Sequence, residues 1–282
     1  MPVRRGNCDR SFLDFEINEA LAGRTPLGSF VAEYCYFFAF CMFAVAGSCL
    51  FTGLWKKGGA FHMLSWVLLA VSLFLAVHYS NDKFGSGIRE LFGYKAGETS
   101  GWAVLISYLF QTALYAWIPL VLCRLLDDTD PDRLIAIGAA IVTGIIVSIY
   151  VNEWLKEFAS RPRYMMLIRQ EDPRAGFRNW WQMFPYLARS GNEHSWPSGH
   201  MTAITSLFTL PMVIGCLRKS SRLKTGIAFG TACVAVLGVG YNRISMTNHF
   251  LTDVCSAVLI TYLLYILIST AFLKTVKKEP GA

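Results

Sequence analysis

The chain has 282 residues, 54% of them hydrophobic and only 16% charged, with a formal net charge of +7. A soluble globular domain carries about 25% charged residues, so this composition, with a mean hydropathy of +0.41, excludes an ordinary soluble enzyme. The positive balance does not indicate nucleic acid either: the cations sit between apolar runs, where they report topology and anionic partners.

In chain order, residues 1–27 form a polar segment of mixed charge. The first apolar run starts too late and runs too long for the h-region of a signal peptide, so no cleaved leader is expected. Seven apolar runs follow: Ser29–Leu54, Ala60–His78, Trp102–Leu125, Leu134–Leu155, Gly199–Leu217, Thr225–Tyr241 and Phe250–Phe272. Each approaches or exceeds the roughly 20 residues that cross a bilayer. Lipid offers backbone polar groups no partner, so each run is predicted to be an α-helix. The fold class expected is therefore all-α, a polytopic transmembrane helical bundle of about six to seven spans. Thr225–Tyr241 is short and rich in glycine, which is expected to permit close helix packing. Glu33, inside the first span, reads as a functional carboxylate or as a residue at headgroup depth.

The linkers are short, with no repeat and no low-complexity tract, so one membrane domain is expected. It divides into residues 1–27, N-terminal helices over 28–133, a core over 134–273 with a long connector at 164–196, and a basic tail at 274–282. The eight cysteines include no C-x-x-C pair, so neither a zinc site nor a disulfide framework is signalled. They are expected to act as small buried hydrophobes.

The connector Arg218–Lys224 holds four basic residues and no acid, and the tail carries Lys274, Lys277 and Lys278. Short basic loops stay cytoplasmic. That rule places both inside, together with Trp55-Lys56-Lys57. Seven spans then put the N-terminus outside. Arg4, Arg5, Arg10 and Arg24 weigh weakly the other way, and loss of one early span would move the N-terminus without changing the other assignments.

Three polar segments then share the extracytoplasmic face, each at the end of an apolar run: Lys156–Arg163, Trp196–His200, and Arg243 with His249 and Asp253. Cleavage of a phosphate ester needs cations or N–H donors around the phosphate oxygens. It also needs a nucleophile in line with the leaving oxygen and an acid to protonate it. Histidine can do either near neutral pH. His249 and Asp253 stand four apart at the start of a helix and can share a face. Alone, such a pair is more often a helix-end contact; with Arg243 and a second histidine motif it reads as a nucleophile and its orienting carboxylate. Pro197-Ser198-Gly199-His200 opens a helix, whose free N–H groups suit an anion. Ser198 alone reads as well as a helix cap. Lys156, Arg161 and Arg163 could be phosphate ligands or snorkelling cations, and local chemistry does not choose between the two arginines. His194 matches no pattern and reads as a loop residue.

These segments resemble the signature of the type 2 phosphatidic acid phosphatase superfamily, which includes integral-membrane lipid phosphatases, glucose-6-phosphatase and soluble vanadium haloperoxidases. Its first motif is a lysine, six residues, then Arg-Pro; Lys156 and Arg163 match it, with Tyr164 in place of proline. Its second is Pro-Ser-Gly-His, matched in full by Pro197, Ser198, Gly199 and His200. Its third is Ser-Arg, five residues, His, three residues, Asp; Arg243, His249 and Asp253 match, with Asn242 in place of serine. The resemblance covers residues 134–272. It implies that His249 is the nucleophile forming a phosphohistidine, that Asp253 orients it, and that His200 protonates the leaving group. It implies phosphate binding by Lys156, Arg163, Ser198, Gly199 and Arg243, and no metal or other cofactor.

The connector 164–196 carries Arg169, Arg174, Arg178 and Arg189 among Trp180, Trp181, Phe184 and Tyr186. It reads equally as a lid for an anionic lipid and as an interfacial anchor. The function expected is a metal-independent phosphatase acting on a lipid phosphate or diphosphate at the extracytoplasmic face of the cell membrane. Its partners are that lipid and the bilayer, with no nucleic acid. The alternatives are a phosphatase of a soluble ester such as a sugar phosphate, a lipid phosphotransferase on the same fold and, from another class, a transporter or receptor without catalysis.

Overall fold

A computed structural model describes residues 13–23, 26–95, 100–182, 194–217 and 220–276. Arg4, Arg5, Arg10, Arg24, Phe184, Tyr186, Arg189, Arg218, Lys219, Lys277 and Lys278 lie outside the described residues. Among the described residues the structure is all-helical, with no strand. The helices are α1 (Asp14–Leu21), α2 (Pro26–Lys57), α3 (Phe61–Ser80), α4 (Phe84–Leu91), α5 (Gly101–Leu125) and α6 (Pro131–Ala159). After them come α7 (Tyr164–Leu167), α8 (Gly199–Ile204), α9 (Leu210–Ile214), α10 (Arg222–Ser245) and α11 (Leu251–Val276).

Among the described residues, six helical stretches are long and apolar enough to cross a membrane: α2, α3, α5, the α6–α7 stretch, α10 and α11. Their starts are set by local chemistry. Asp130 accepts from the Arg133 N–H ahead of α6, with Pro131 in the first turn, where its missing N–H costs nothing. Ser100 and Ser221 cap α5 and α10 in the same way.

The seventh expected span, Gly199–Leu217, is not one helix. It is α8, a 3₁₀ stretch over Thr205–Thr209, and α9. Pro211 cannot donate into an α-ladder and would clash with the preceding turn. The hydroxyls of Thr205, Ser206 and Thr209 bond to backbone carbonyls instead, Ser206 to Ala39 of α2. The segment still runs the length of the bundle. Gly199 lies by Lys156 at the end of α6, while the Cys216 carbonyl accepts from Thr129 just before α6 begins.

The axis of the bundle is α2, whose most apolar window is 78% buried against 22% for α5, α10 and α11. Close packing centres on it: a β-carbon at Gly138 of α6 would fall 2.8 Å from the Ala46 carbonyl oxygen of α2. The glycines expected to do this in α10 do so only at Gly240, against Val254. Gly226, Gly230 and Gly238 face open space, because α10 lies on the outside of the bundle. Glu33 turns toward α4, beside Gly87. The described cysteines are all free; Cys35, Cys49 and Cys216 are buried as expected, but Cys41, Cys123 and Cys233 are only partly buried and Cys255 is exposed.

The bundle has two chemically distinct ends. At one lie the Trp55–Lys57 end of α2, the 126–130 turn, Cys216 and the start of α10. At the other lie Lys156–Arg163, Ser195–His200, Arg243–Asp253, the start of α2, and α1.

Candidate active site

Three stretches distant in sequence are stitched together by backbone hydrogen bonds. The Ser195 N–H donates to the Arg161 carbonyl at 2.9 Å, and the Ser198 N–H to the Asp253 carbonyl at 3.2 Å. The His249 N–H donates to the Arg243 carbonyl at 3.3 Å, and the Met165 N–H to the Thr247 carbonyl at 2.9 Å. Chain direction changes sharply at two points. Ser160 closes α6 with φ 43, and Thr247 follows α10 with φ 60; both occupy the left-handed region that non-glycine residues seldom adopt.

His249 is buried. Its Nδ1 lies 2.7 Å from the Ser195 carbonyl oxygen and 3.8 Å from Asp253 Oδ2. A carbonyl only accepts, so Nδ1 carries the proton and the lone pair sits on Nε2. Asp253 thus acts on the ring chiefly through Ser195: the Ser195 hydroxyl donates to Asp253 Oδ2 at 2.5 Å while its carbonyl receives the imidazole. Burial holds the imidazole well below its usual range, at about 4; the Arg243 and Arg163 charges push the same way, and Asp253 opposes them. The ring is therefore neutral at physiological pH.

Asp253 is saturated. Its carboxylate accepts from Arg161 Nη1, the Ser195 hydroxyl and the Phe250 N–H. Arg161 in turn spends every guanidinium nitrogen. Nε donates to the Arg178 carbonyl, Nη1 also to Thr252 Oγ1, and Nη2 to Asp14 at 2.9 Å. Its planar group lies 4.2 Å above the Phe250 ring. Arg161, Asp14 and Asp253 are each at most 2% exposed, so this is a buried charge network. Asp14 belongs to α1, and the neighbouring Asn18 donates to the His249 carbonyl at 3.0 Å.

The facing side is built differently. Arg163 Nε, Arg243 Nε and the Ser198 hydroxyl are buried without a hydrogen-bond partner. Ser198 stands at the N-cap of α8, yet its side chain does not cap it. Lys156 pairs with Glu153 at 2.6 Å and lies 3.0 Å from where a β-carbon at Gly199 would stand, so a side chain there would strike the ammonium. His200 holds its Nε2 3.2 Å from the Ala32 carbonyl of α2, and its ring meets Tyr36 edge-on at 4.7 Å. Arg243 and His249 lie within electrostatic reach of it.

All the expected site residues therefore lie at one end of the bundle: Lys156, Arg163, Ser198, Gly199, His200, Arg243, His249 and Asp253. Asp14, Asn18, Arg161, Ser195 and Thr252 complete the arrangement. Of these, only Arg161 gave a signal, as an unassigned cation beside Arg163. Among the described residues no group of three or more His, Cys, Asp or Glu side chains is placed to hold a metal ion.

The described part of the connector, 164–182, packs against this end. Phe177 meets the Phe250 and Phe15 rings, Trp180 stacks on Trp196, and Arg174 pairs with Glu16 of α1. The two departures from the expected motifs have structural partners. Tyr164 packs against Phe15 and Phe250, and Asn242 donates to the Gly28 carbonyl at 2.8 Å. Both tie N-terminal elements to the core.

A family model described as the PAP2 superfamily matches residues 137–277, half of the chain. No curated protein and no solved structure matches it.

Proposed function

The chain belongs to the PAP2 superfamily, and on that premise we propose that it is an integral-membrane phosphatase hydrolysing a lipid phosphate or lipid diphosphate through a phosphohistidine. The observation carrying this reading is the contrast inside the site. A neutral His249 has its Nε2 lone pair free, beside a serine hydroxyl and two arginine Nε atoms that are buried without a hydrogen-bond partner. Buried polar groups without partners are rare and call for an explanation. A phosphoryl group supplies one, with oxygens for Arg163, Arg243, Ser198 and Lys156.

In the first step the His249 Nε2 lone pair attacks phosphorus. The bond from phosphorus to the lipid oxygen breaks, and its electron pair leaves with that oxygen. His200, as imidazolium, gives that oxygen a proton, with the phosphate beside it as counter-charge. In the second step His200, now neutral, takes a proton from water. The hydroxide attacks phosphorus, the P–N bond breaks, and phosphate leaves. The Ser195 carbonyl and Asp253 hold the His249 ring in register throughout. Charge-assisted hydrogen bonds are worth roughly 1.5–3 kcal/mol each, so three cations can stabilise the five-coordinate phosphorus without a metal.

The basic end of the bundle is assigned to the cytoplasm by the positive-inside rule, and the site to the extracytoplasmic face. The domain division at residues 134–273 fits this reading, since it holds every catalytic residue named above. The test is phosphate release by detergent-purified protein in excess chelator, with trapping of an acid-labile phosphoenzyme. An absolute magnesium requirement, or turnover without a phosphoenzyme, would overturn the mechanism. A clear preference for sugar phosphates would favour the soluble-ester alternative.

A further inference from the structure

We propose that the apolar groove between α2 and α10 holds one hydrocarbon chain of the substrate while its phosphate occupies the His249 site. This inference rests on the lipid-phosphate reading above. The groove encloses about 550 Å³, within the usual range for ligand sites. Val31 and Cys35 form the α2 wall, Ala235 and Gly238 the α10 wall, and Ile204 and Leu207 the floor. Phe38, Val234 and Tyr241 stand on its edge with more than half their surface exposed, so it opens sideways toward lipid.

Three observations join the groove to the site. Ala32, between groove residues Val31 and Cys35, is the residue whose carbonyl meets His200. Ile204 lies one helical turn beyond His200 on α8. Asn242, which lines the groove, precedes Arg243 and holds the Gly28 carbonyl at the groove's mouth.

Depth identifies the occupant. From Ser245 at the site end to Thr231 at the far end, α10 rises about 20 Å; from Gly28 to Phe38, α2 rises about 15 Å. One leaflet of a bilayer core is about 15 Å deep. A lipid of the leaflet on the active face can therefore lie in the groove with its phosphate at the arginines. The α2 wall lies outside the matched span 137–277. Chain selectivity is thus set partly by the N-terminal helices.

The experiment compares long-chain and short-chain, water-soluble phosphate esters with wild type, Gly238→Trp and Gly230→Trp. A β-carbon at either glycine meets nothing within 4 Å, and only Gly238 lines the groove. Gly238→Trp is expected to lower kcat/KM for the long-chain ester by at least about tenfold, the effect of losing roughly two buried methylenes, and to affect the short-chain ester far less. Gly230→Trp is expected to keep the wild-type chain-length preference. A photoreactive long-chain phosphonate should also label wild-type peptides from α2 and α10, a readout that does not need a folded variant. Equal loss on both esters, an unchanged preference in Gly238→Trp, or labelling elsewhere overturns the groove assignment while leaving the phosphatase reading intact. Loss of a dimer in Gly238→Trp with unchanged preference assigns the groove to a second copy of the chain. A wild type inactive on every long-chain phosphate defeats the lipid reading itself.

Discussion

Around Asp253 both carboxylate oxygens and all the nitrogens of Arg161 have partners; across the site Arg163, Arg243 and Ser198 each keep a buried polar atom without one. The two sides draw on similar residue types, so residue chemistry alone does not separate them. Occupancy does. A saturated network is finished structure: it orders α1, α11 and the connector and presents the His249 ring. An unsaturated one stores an electrostatic demand that an anion can meet. Two arginines two residues apart, Arg161 and Arg163, fall on opposite sides of this division.

The largest expected effect comes where the two sides meet. His249→Ala is expected to lower turnover by at least about 10⁴-fold and abolish the trapped phosphoenzyme, while the protein remains folded. Wild-type-like turnover would remove His249 from the reaction and leave the contrast without a chemical meaning. On the unsaturated side, Arg163→Ala and Arg243→Ala are each expected to lower kcat/KM by about 10²-fold and to weaken vanadate inhibition in parallel. Their thermal stability in detergent should equal or exceed that of wild type, because each removes a cation whose buried Nε has no hydrogen-bond partner in the resting site. A marked loss of stability in either would show that these arginines belong to the scaffold.

Arg161 and Asp14 test the other side. Removing one member of a buried charge network leaves the others unpaired and costs about 3–5 kcal/mol. Arg161→Ala should therefore lose folded protein first and activity as a consequence. Asp14→Asn keeps a carbonyl acceptor for Arg161 and should cost less. The two arginines then differ in kind: Arg163→Ala gives a stable, poorly active protein, and Arg161→Ala an unstable one. Thermal unfolding in detergent, measured beside kcat and KM, separates them. An Arg161→Ala variant of wild-type stability would show the network to be dispensable.

Much of this was legible in the sequence for a definite reason. Apolar runs report spans because lipid leaves the backbone no alternative, and motif spacing reports residues that one end of a helix must present. Contacts between distant segments leave no such periodic mark. Asp14 reaches Arg161 across 147 positions and is an ordinary acid in a polar segment until the fold buries it. Ser195 acts partly through its backbone carbonyl, which no side-chain pattern encodes. The i,i+4 spacing of His249 and Asp253 predicts a contact between them, but it fixes the face and not the atom that wins the ring nitrogen. The broken seventh span shows the same limit: its hydropathy fits a continuous helix, but Pro211 and three hydroxyls divide it.

The smallest effect expected is a displacement along the pH axis. Burial favours neutral His249, with Arg243 and Arg163 adding to the shift, so its folded value is about 4 against 6.5 for an unperturbed ring. The His249 ring, the proposed nucleophile, stays unprotonated down to that pH. The acid limb of kcat/KM, which reports the free enzyme, should therefore lie near 4, once the substrate's own ionisation is titrated separately. The sign for stability follows from the same shift. Between about 4 and 6.5 the unfolded chain binds a proton that the folded chain does not, so the contribution of this group is complete above 6.5 and is lost as pH falls toward 4. Arg243→Gln removes one cause of the depression and should move the limb upward, toward 6.5, in whatever activity remains. A limb at 6.5 in the wild type would mean that His249 sits in water, and the saturated and unsaturated sides would no longer share one enclosed site.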